Sequence, residues 1–254
     1  MLRRNFPDSA LDRPQETLIR NLKAHSRLPH EDVAEIGKFS ITTRDLRPDE
    51  DFIRQGDHPE MAVLVVSGMV ARYHLLQDGR RQYLSFHMSG DLPDAQGLFI
   101  ERMDHALCAI GHATVAFIPH RQILRAFQRR PSLGIAIWRE TLLDAAIFRE
   151  AITNNSARPM QARMAHLFCE LFYRARVSRL NEANRCSIPL TLVQLAETLA
   201  MAIATVNRTL QQLRASGTMD FRDGELVILK WRELQELADF NPDYLHMKKQ
   251  SSSI

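Results

Sequence analysis

The sequence predicts an α+β fold: an N-terminal β-roll (a double-stranded β-helix), a long helix, and a C-terminal winged helix-turn-helix. Three observations predict it. Short apolar segments separated by turn residues follow one another between Phe39 and Pro119. An apolar repeat at steps of three and four runs from Ile135 to Ile152. Two short amphipathic helical patterns between Thr191 and Leu213 are followed by a hairpin pattern turning at Arg222-Asp223-Gly224-Glu225.

Residues 1–38 read as an N-terminal helical segment, because Leu18, Leu22, Val33 and Ile36 recur among charges and Pro29-His30-Glu31 restarts the helix. Residues 39–130 form the β-roll. Its strands are expected at Phe52–Asp57, Met61–Val66, Val70–Leu76, Gln82–Met88, His105–Gly111 and Ala113–Pro119. Ser67-Gly68, Asp78-Gly79 and Ser89-Gly90-Asp91 read as the turns between them. Residues 131–156 form a long helix whose seam is Ile135, Trp138, Leu142, Ala145, Arg149 and Ile152. A second apolar face (Ile137, Leu143, Phe148) is free to pack on the roll, which leaves the seam for a second copy of the chain. Residues 157–233 hold a helix from Ala157 to Val177 and the winged helix-turn-helix, and residues 234–254 read as a C-terminal tail.

Composition narrows the function classes. The 254 residues are 45% hydrophobic and 25% charged, ordinary for a globular chain. With 33 Lys plus Arg against 30 Asp plus Glu the formal charge is only +3, which excludes a general basic coat but permits a local basic face. Cys108, Cys169 and Cys186 are too few and too widely spaced for a disulfide framework, a zinc site or an iron–sulfur cluster. The longest apolar run, Met61 to Ala71, is too short to span a bilayer, and Pro7, Asp8 and Asp12 interrupt any signal-peptide core after Arg3 and Arg4. The reading is a cytoplasmic protein with no membrane association. No G-x-S-x-G, Walker loop, G-x-G-x-x-G or H-x-H with a following Glu occurs, and His74, His87 and His112 fall on different strands. The competing class, a cupin-like β-roll metalloenzyme, therefore lacks its ligand pattern, and neither an enzyme nor a bound metal is expected.

The stretch TLVQLAETLAMAIATVNRTLQQL, Thr191 to Leu213, carries the function. Counted from Leu192, the fifth residue is Ala196, small enough for two helices to cross, and the fifteenth is Val206, apolar for the motif's own core. Ala200 stands where the turn usually has Gly. On the second helix Ile203, Ala204, Asn207 and Arg208 point outward, and with Ala202 and Thr205 they are the candidate DNA-reading residues. From Thr198 to Met219 there are two arginines and no acid, so double-stranded DNA is the expected partner. Arg208 lies where its fork can reach a guanine.

In combination, Phe52-Ile53-Arg54-Gln55-Gly56-Asp57, Leu64-Val65-Val66-Ser67-Gly68, Leu76-Gln77-Asp78-Gly79-Arg80, Leu195-Ala196-Glu197 and Thr205-Val206-Asn207-Arg208-Thr209-Leu210 resemble the Crp/Fnr family of bacterial transcription regulators. The resemblance covers about Phe39 to Trp231. It implies a cyclic-nucleotide-binding-like sensor roll, a dimerisation helix, a homodimer on a palindromic operator, contact with RNA polymerase, and control by a signal. It also marks departures. The family's phosphate-holding Arg-Ser or Arg-Thr pair aligns with Met103-Asp104, with Arg102 one place early, and Pro93-Asp94 stands where a Gly-Glu pair receives the ribose. A carboxylate repels a phosphate, so no cyclic nucleotide is expected as cofactor. No cysteine precedes Cys108, so no iron–sulfur cluster is expected either. Cys186, just ahead of the helix-turn-helix, is the candidate redox sensor. Where relatives place charged residues for their half-sites, this chain has Ile203 and Ala204.

Overall fold

A computed structural model describes residues 13–178 and 180–247; the N-terminal Arg3, Arg4, Pro7, Asp8 and Asp12, and the last seven residues, lie outside them. Helices α1 (Pro14–His25) and α2 (His30–Ile36) match the expected helical segment. Leu18, Leu22 and Ile36 pack into a core with Leu64, Ile118 and Ile137. Polar contacts fasten them: Arg130 pairs with Asp32 at 2.7 Å, and the buried His25 is hydrogen-bonded to Glu140.

The roll consists of β1 (Thr42–Leu46), β2 (Asp51–Ile53), β3 (Met61–Leu75), β4 (Arg81–Met88) and β5 (Ala106–Pro119), in the order β1-β5-β3-β4 with β2 also on β5. Ser67-Gly68, expected as a turn, is instead a bulge inside the continuous β3, and Gly111-His112 likewise interrupts β5 without ending it. The register runs Met61↔Pro119 to Ser67↔Thr114, then resumes at Met69↔Ile110 and ends at Tyr73↔Ala106. Opposed bulges bend both strands together, so two strands supply both layers where four shorter ones were expected. Only glycine fits at the crossing: Gly68 has φ +75°, and a Cβ there would lie 2.3 Å from the His112 carbonyl oxygen.

Helix α3 (His120–Arg129) leads into α4 (Pro131–Ala157), whose Leu133, Ala136, Ile137, Leu143 and Ala146 are buried. Helix α5 (Met160–Val177) is the centre of the C-terminal half, with Met164, Phe168, Leu171 and Phe172 in one core with Tyr83, Phe86, Leu210 and Phe221. A short strand, β6 (Arg185–Ser187), precedes α6 (Leu192–Leu199), α7 (Ile203–Ala215), β7 (Met219–Arg222) and β8 (Glu225–Ile228). The wing thus has three strands, β6-β8-β7, where a two-stranded hairpin was expected.

The expected tail is folded as far as residue 247. Helix α8 (Trp231–Ala238) and a 3-10 turn at Pro242–Leu245 bury Leu234, Ala238, Phe240 and Leu245 against the core around α5. Trp231 and Phe240 stack near Phe172 and Tyr173, a burial that short spacing did not reveal.

Gly68→Ala should destabilise the fold by at least about 2 kcal/mol through strain and clash. Gly56→Ala, at φ +91° but with no atom within 4 Å of the added Cβ, should cost about 1 kcal/mol. Urea unfolding midpoints measured side by side check the difference.

Candidate DNA interface and roll interior

Helix α6 begins with a capping box: the Thr191 hydroxyl accepts from the Gln194 backbone N–H at 3.2 Å, and Gln194 Oε1 accepts from the Thr191 N–H at 2.9 Å. It ends at Ala200 in the left-handed region (φ 52°, ψ 48°), a conformation that costs an alanine about 1–2 kcal/mol and that glycine would adopt freely. Ala196 and Val206 are both buried at the crossing with α7, as their positions in the motif require. This geometry turns one face of α7 outward. Ala202, Ile203, Ala204, Asn207 and Arg208 are exposed and Thr205 is half-buried.

Gln211 and Gln212 continue that exposed face by one turn, being four residues beyond Asn207 and Arg208. That spacing was the signal available in the sequence for them. An open cleft of about 570 Å³ runs between Pro189–Leu192, the Asn207, Gln211 and Arg214 edge of α7, and the wing tip Arg222-Asp223-Gly224.

The charge on this face is smaller than the sequence suggested. Arg214 is half-buried, pairs with Asp220 at 2.8 Å and donates to the Phe221 carbonyl. Arg222 also pairs with Asp220, at 3.0 Å, and Arg185 pairs with Glu225 at 2.9 Å. Among the described residues Arg208 makes no hydrogen bond or ion pair, so of the two arginines between Thr198 and Met219 it alone is left to meet a nucleic acid. Its neighbours Ile203 and Ala204 are apolar and suit thymine methyl groups.

The α4 seam faces outward as expected: Ile135, Trp138, Leu142 and Ile152 are 64%, 51%, 52% and 69% exposed, Arg149 is exposed, and Ala145 is half-buried. Phe99, also exposed, extends this apolar surface by an edge contact with Trp138 at 5.9 Å between ring centres.

Inside the roll, Arg72 is buried, pairs with Asp144 of α4 at 2.6 Å, donates to the Pro93 carbonyl and lies 5.0 Å over the Phe148 ring. The sequence did not single it out, because its partners are 21 and 72 residues away. Asp94 accepts from the Val63 N–H at 2.8 Å, and burial pushes its carboxyl up to about 7. Met103 is buried in the apolar core beside Leu107 and Val115, with its backbone paired to Gly56 and Asp57, at the base of an open cleft whose other lining includes Ile53, Pro59 and Phe117 and no Arg or Lys to hold a phosphate. The residues immediately before β5 are Asp104 and His105. Asp104 accepts from His105 Nδ1 at 2.6 Å, while Arg102 is exposed. Burial, then the nearby Arg72, push the His105 imidazole down to about 4.

The surroundings of Cys186 do not favour a thiolate. It lies buried in β6, and burial pushes its thiol up to about 12, the opposite of the lowered value a redox sensor needs. Among the described residues no group of three or more His, Cys, Asp or Glu is placed to hold a metal ion, and no helix is long and apolar enough to cross a membrane. His74 contacts the Asp104 carbonyl, His87 is buried against Ser85, and His112 is exposed at the β5 bulge.

Two family models match the chain: the cyclic nucleotide-binding domain over residues 43–130 and the Crp-like helix-turn-helix domain over residues 162–237. The nitrogen fixation regulation protein FixK of Azorhizobium caulinodans is 24% identical over 215 residues, covering 84% of each chain. The transcriptional activator protein FnrL of Cereibacter sphaeroides is 23% identical, covering 87% of this chain and 90% of its own. The solved structure of FixK2 from Bradyrhizobium japonicum superposes with a TM-score of 0.69 at 25% identity, covering 78% of this chain and 97% of that one. These are transcription regulators and not enzymes, which removes the metalloenzyme alternative. With a sensor-type roll ahead of a helix-turn-helix whose reading face is exposed, the chain belongs to the Crp/Fnr family of DNA-binding transcription regulators.

Proposed function

We propose that this regulator binds a two-fold-related operator as a homodimer joined along α4, reads each half-site with α7, and works in the cytoplasm without a cyclic nucleotide. The observation that carries the reading is the pairing of two unpartnered surfaces: an apolar seam on α4 and an outward α7 with a free Arg208. A self-complementary seam generates two-fold symmetry, and two-fold symmetry presents two copies of α7 to two half-sites. Contact with RNA polymerase belongs to the same reading, since a regulator bound at an operator acts through the transcription machinery.

The absence of a nucleotide requirement rests on the roll interior. Arg72 already bridges β3 to α4, Met103 is part of the core, and Asp104 carries a carboxylate at the position where the family resemblance expects a phosphate-holding residue. An incoming cyclic nucleotide would have to break a buried ion pair and approach an anion without a bidentate donor.

Replacing Leu142 with Arg puts a charge into the middle of the seam and should yield monomers in light scattering. A dimer of unchanged mass would place the interface elsewhere. Cyclic AMP titrated into the protein in a calorimeter should give no heat of binding at micromolar concentration and should leave DNA affinity unaltered. Arg208→Ala should weaken a specific half-site by about 1–3 kcal/mol, and roughly twice that on a symmetric operator, while random duplex loses much less. Binding to specific and scrambled duplexes at two salt concentrations separates base reading from a phosphate contact, for which both affinities would fall together.

A further inference from the structure

The last four carbonyls of an α-helix have no partner within the helix, so the way α6 ends can be accounted for group by group. The Ala196 carbonyl accepts from the backbone N–H groups of Ala200 and Met201 in the turn. The next three each accept from a side chain of a different element. Gln82 of β4 donates from Nε2 to the Glu197 carbonyl at 2.6 Å. Asn155, near the end of α4, donates from Nδ2 to the Thr198 carbonyl at 3.2 Å. Arg163 of α5 donates from Nη1 to the Leu199 carbonyl at 3.0 Å, placing its charge at the negative end of the helix.

Arg163 is itself held in place. Asn154 Nδ2 donates to the Arg163 carbonyl at 3.0 Å, and Arg163 Nη2 to the Arg158 carbonyl at 3.3 Å, across the corner between α4 and α5. Asn155 sits three residues beyond Ile152, the most exposed apolar residue of the seam. At its other end α6 is also tied to the roll, Gln194 Nε2 donating to Asp49 Oδ1 at 3.1 Å. Only Ala200-Met201-Ala202 separate the clamped carbonyls from the first residue of α7. A three-residue turn with one left-handed residue transmits orientation with little slack.

We propose that Gln82, Asn155 and Arg163 are positioning residues for DNA reading: they clamp the C-terminal carbonyls of α6 and thereby set the attitude of α7 relative to the roll and to the α4 seam. A shift of the roll or of α4 reaches α7 through these three bonds. None of the three lies on the exposed face of α7, so each acts on DNA only through α6.

The test uses the full-length protein and a duplex selected by it from a random pool, compared with scrambled duplex. Gln82 and Asn155 are both half-buried, so truncating either to alanine opens a path for water to the Glu197 or Thr198 carbonyl and the fold survives. Each should lower affinity for the selected duplex by ~2- to 30-fold, with scrambled-duplex affinity and thermal midpoint nearly unchanged. Arg163→Lys, which keeps a cationic donor, should retain more selected-duplex affinity than Arg163→Met. Unchanged selected-duplex binding in the Gln82→Ala, Asn155→Ala double variant would overturn the clamp. So would an equal fall on both duplexes in step with the thermal midpoint, which is the mark of a general packing role.

Discussion

Two buried arginines constrain how the chain's segments can move. Arg72 leaves the roll to pair with Asp144 on α4, and Arg174 leaves α5 to pair with Asp91 of the roll at 2.7 Å and with Glu170 at 3.4 Å. Tyr244, from the C-terminal 3-10 turn, closes the network by donating to Glu170 at 2.7 Å. Each guanidinium is nearly excluded from water, and a buried charge that loses its partner costs about 3–5 kcal/mol. The roll, α4 and α5 are therefore held in one arrangement, because any of them that departed alone would strand a charge, and the C-terminal turn is hydrogen-bonded to the same network. The field is not evenly balanced: burial pushes the Asp91 carboxyl up to about 6 even with Arg174 pulling the other way.

This constraint explains why α4 is apolar on two faces. The inward face, Leu133, Ala136, Ile137, Leu143 and Ala146, fills the roll's open side and carries Asp144 to Arg72. The outward face, with Ile135, Trp138, Leu142 and Ile152, has no such role among the described residues. A helix fixed by a buried ion pair presents its other face at a defined angle, which is what a dimer seam needs.

At the DNA-reading end the economy of charge is the notable feature. The wing's arginines are held by Asp220 and Glu225, and Arg214 is drawn onto Asp220 and the Phe221 carbonyl, where it braces α7 against β7. These cations stiffen the wing. The surface left for base edges is short-chained and largely uncharged, which shifts discrimination toward Arg208 and toward apolar and amide contacts from Ile203, Asn207 and Gln211.

The sequence by itself determined what local periodicity and turn chemistry encode: the order of roll, long helix and helix-turn-helix, the Ala196 and Val206 crossing, the Asp78-Gly79 hairpin, and the split of α4 into two apolar faces. Such features repeat within a few residues, and side-chain periods of two or 3.6 expose them directly. Tertiary structure alone decided features that depend on partners far along the chain. Gly68 reads as a turn until His112 is known to lie against it, and whether Cys186 is open to solvent is decided only where β6 pairs with β8. Arg214 counts as a DNA-facing cation until Asp220 folds back beside it. The residues from Leu234 to Leu245 look like a tail because their apolar spacing is short, and they become structure only where α5 offers a surface to bury them. The same holds for Arg72 and for the three side chains that donate to α6: a charged or amide side chain carries no signature of its partner, and burial by distant segments decides whether it meets water or another part of the protein.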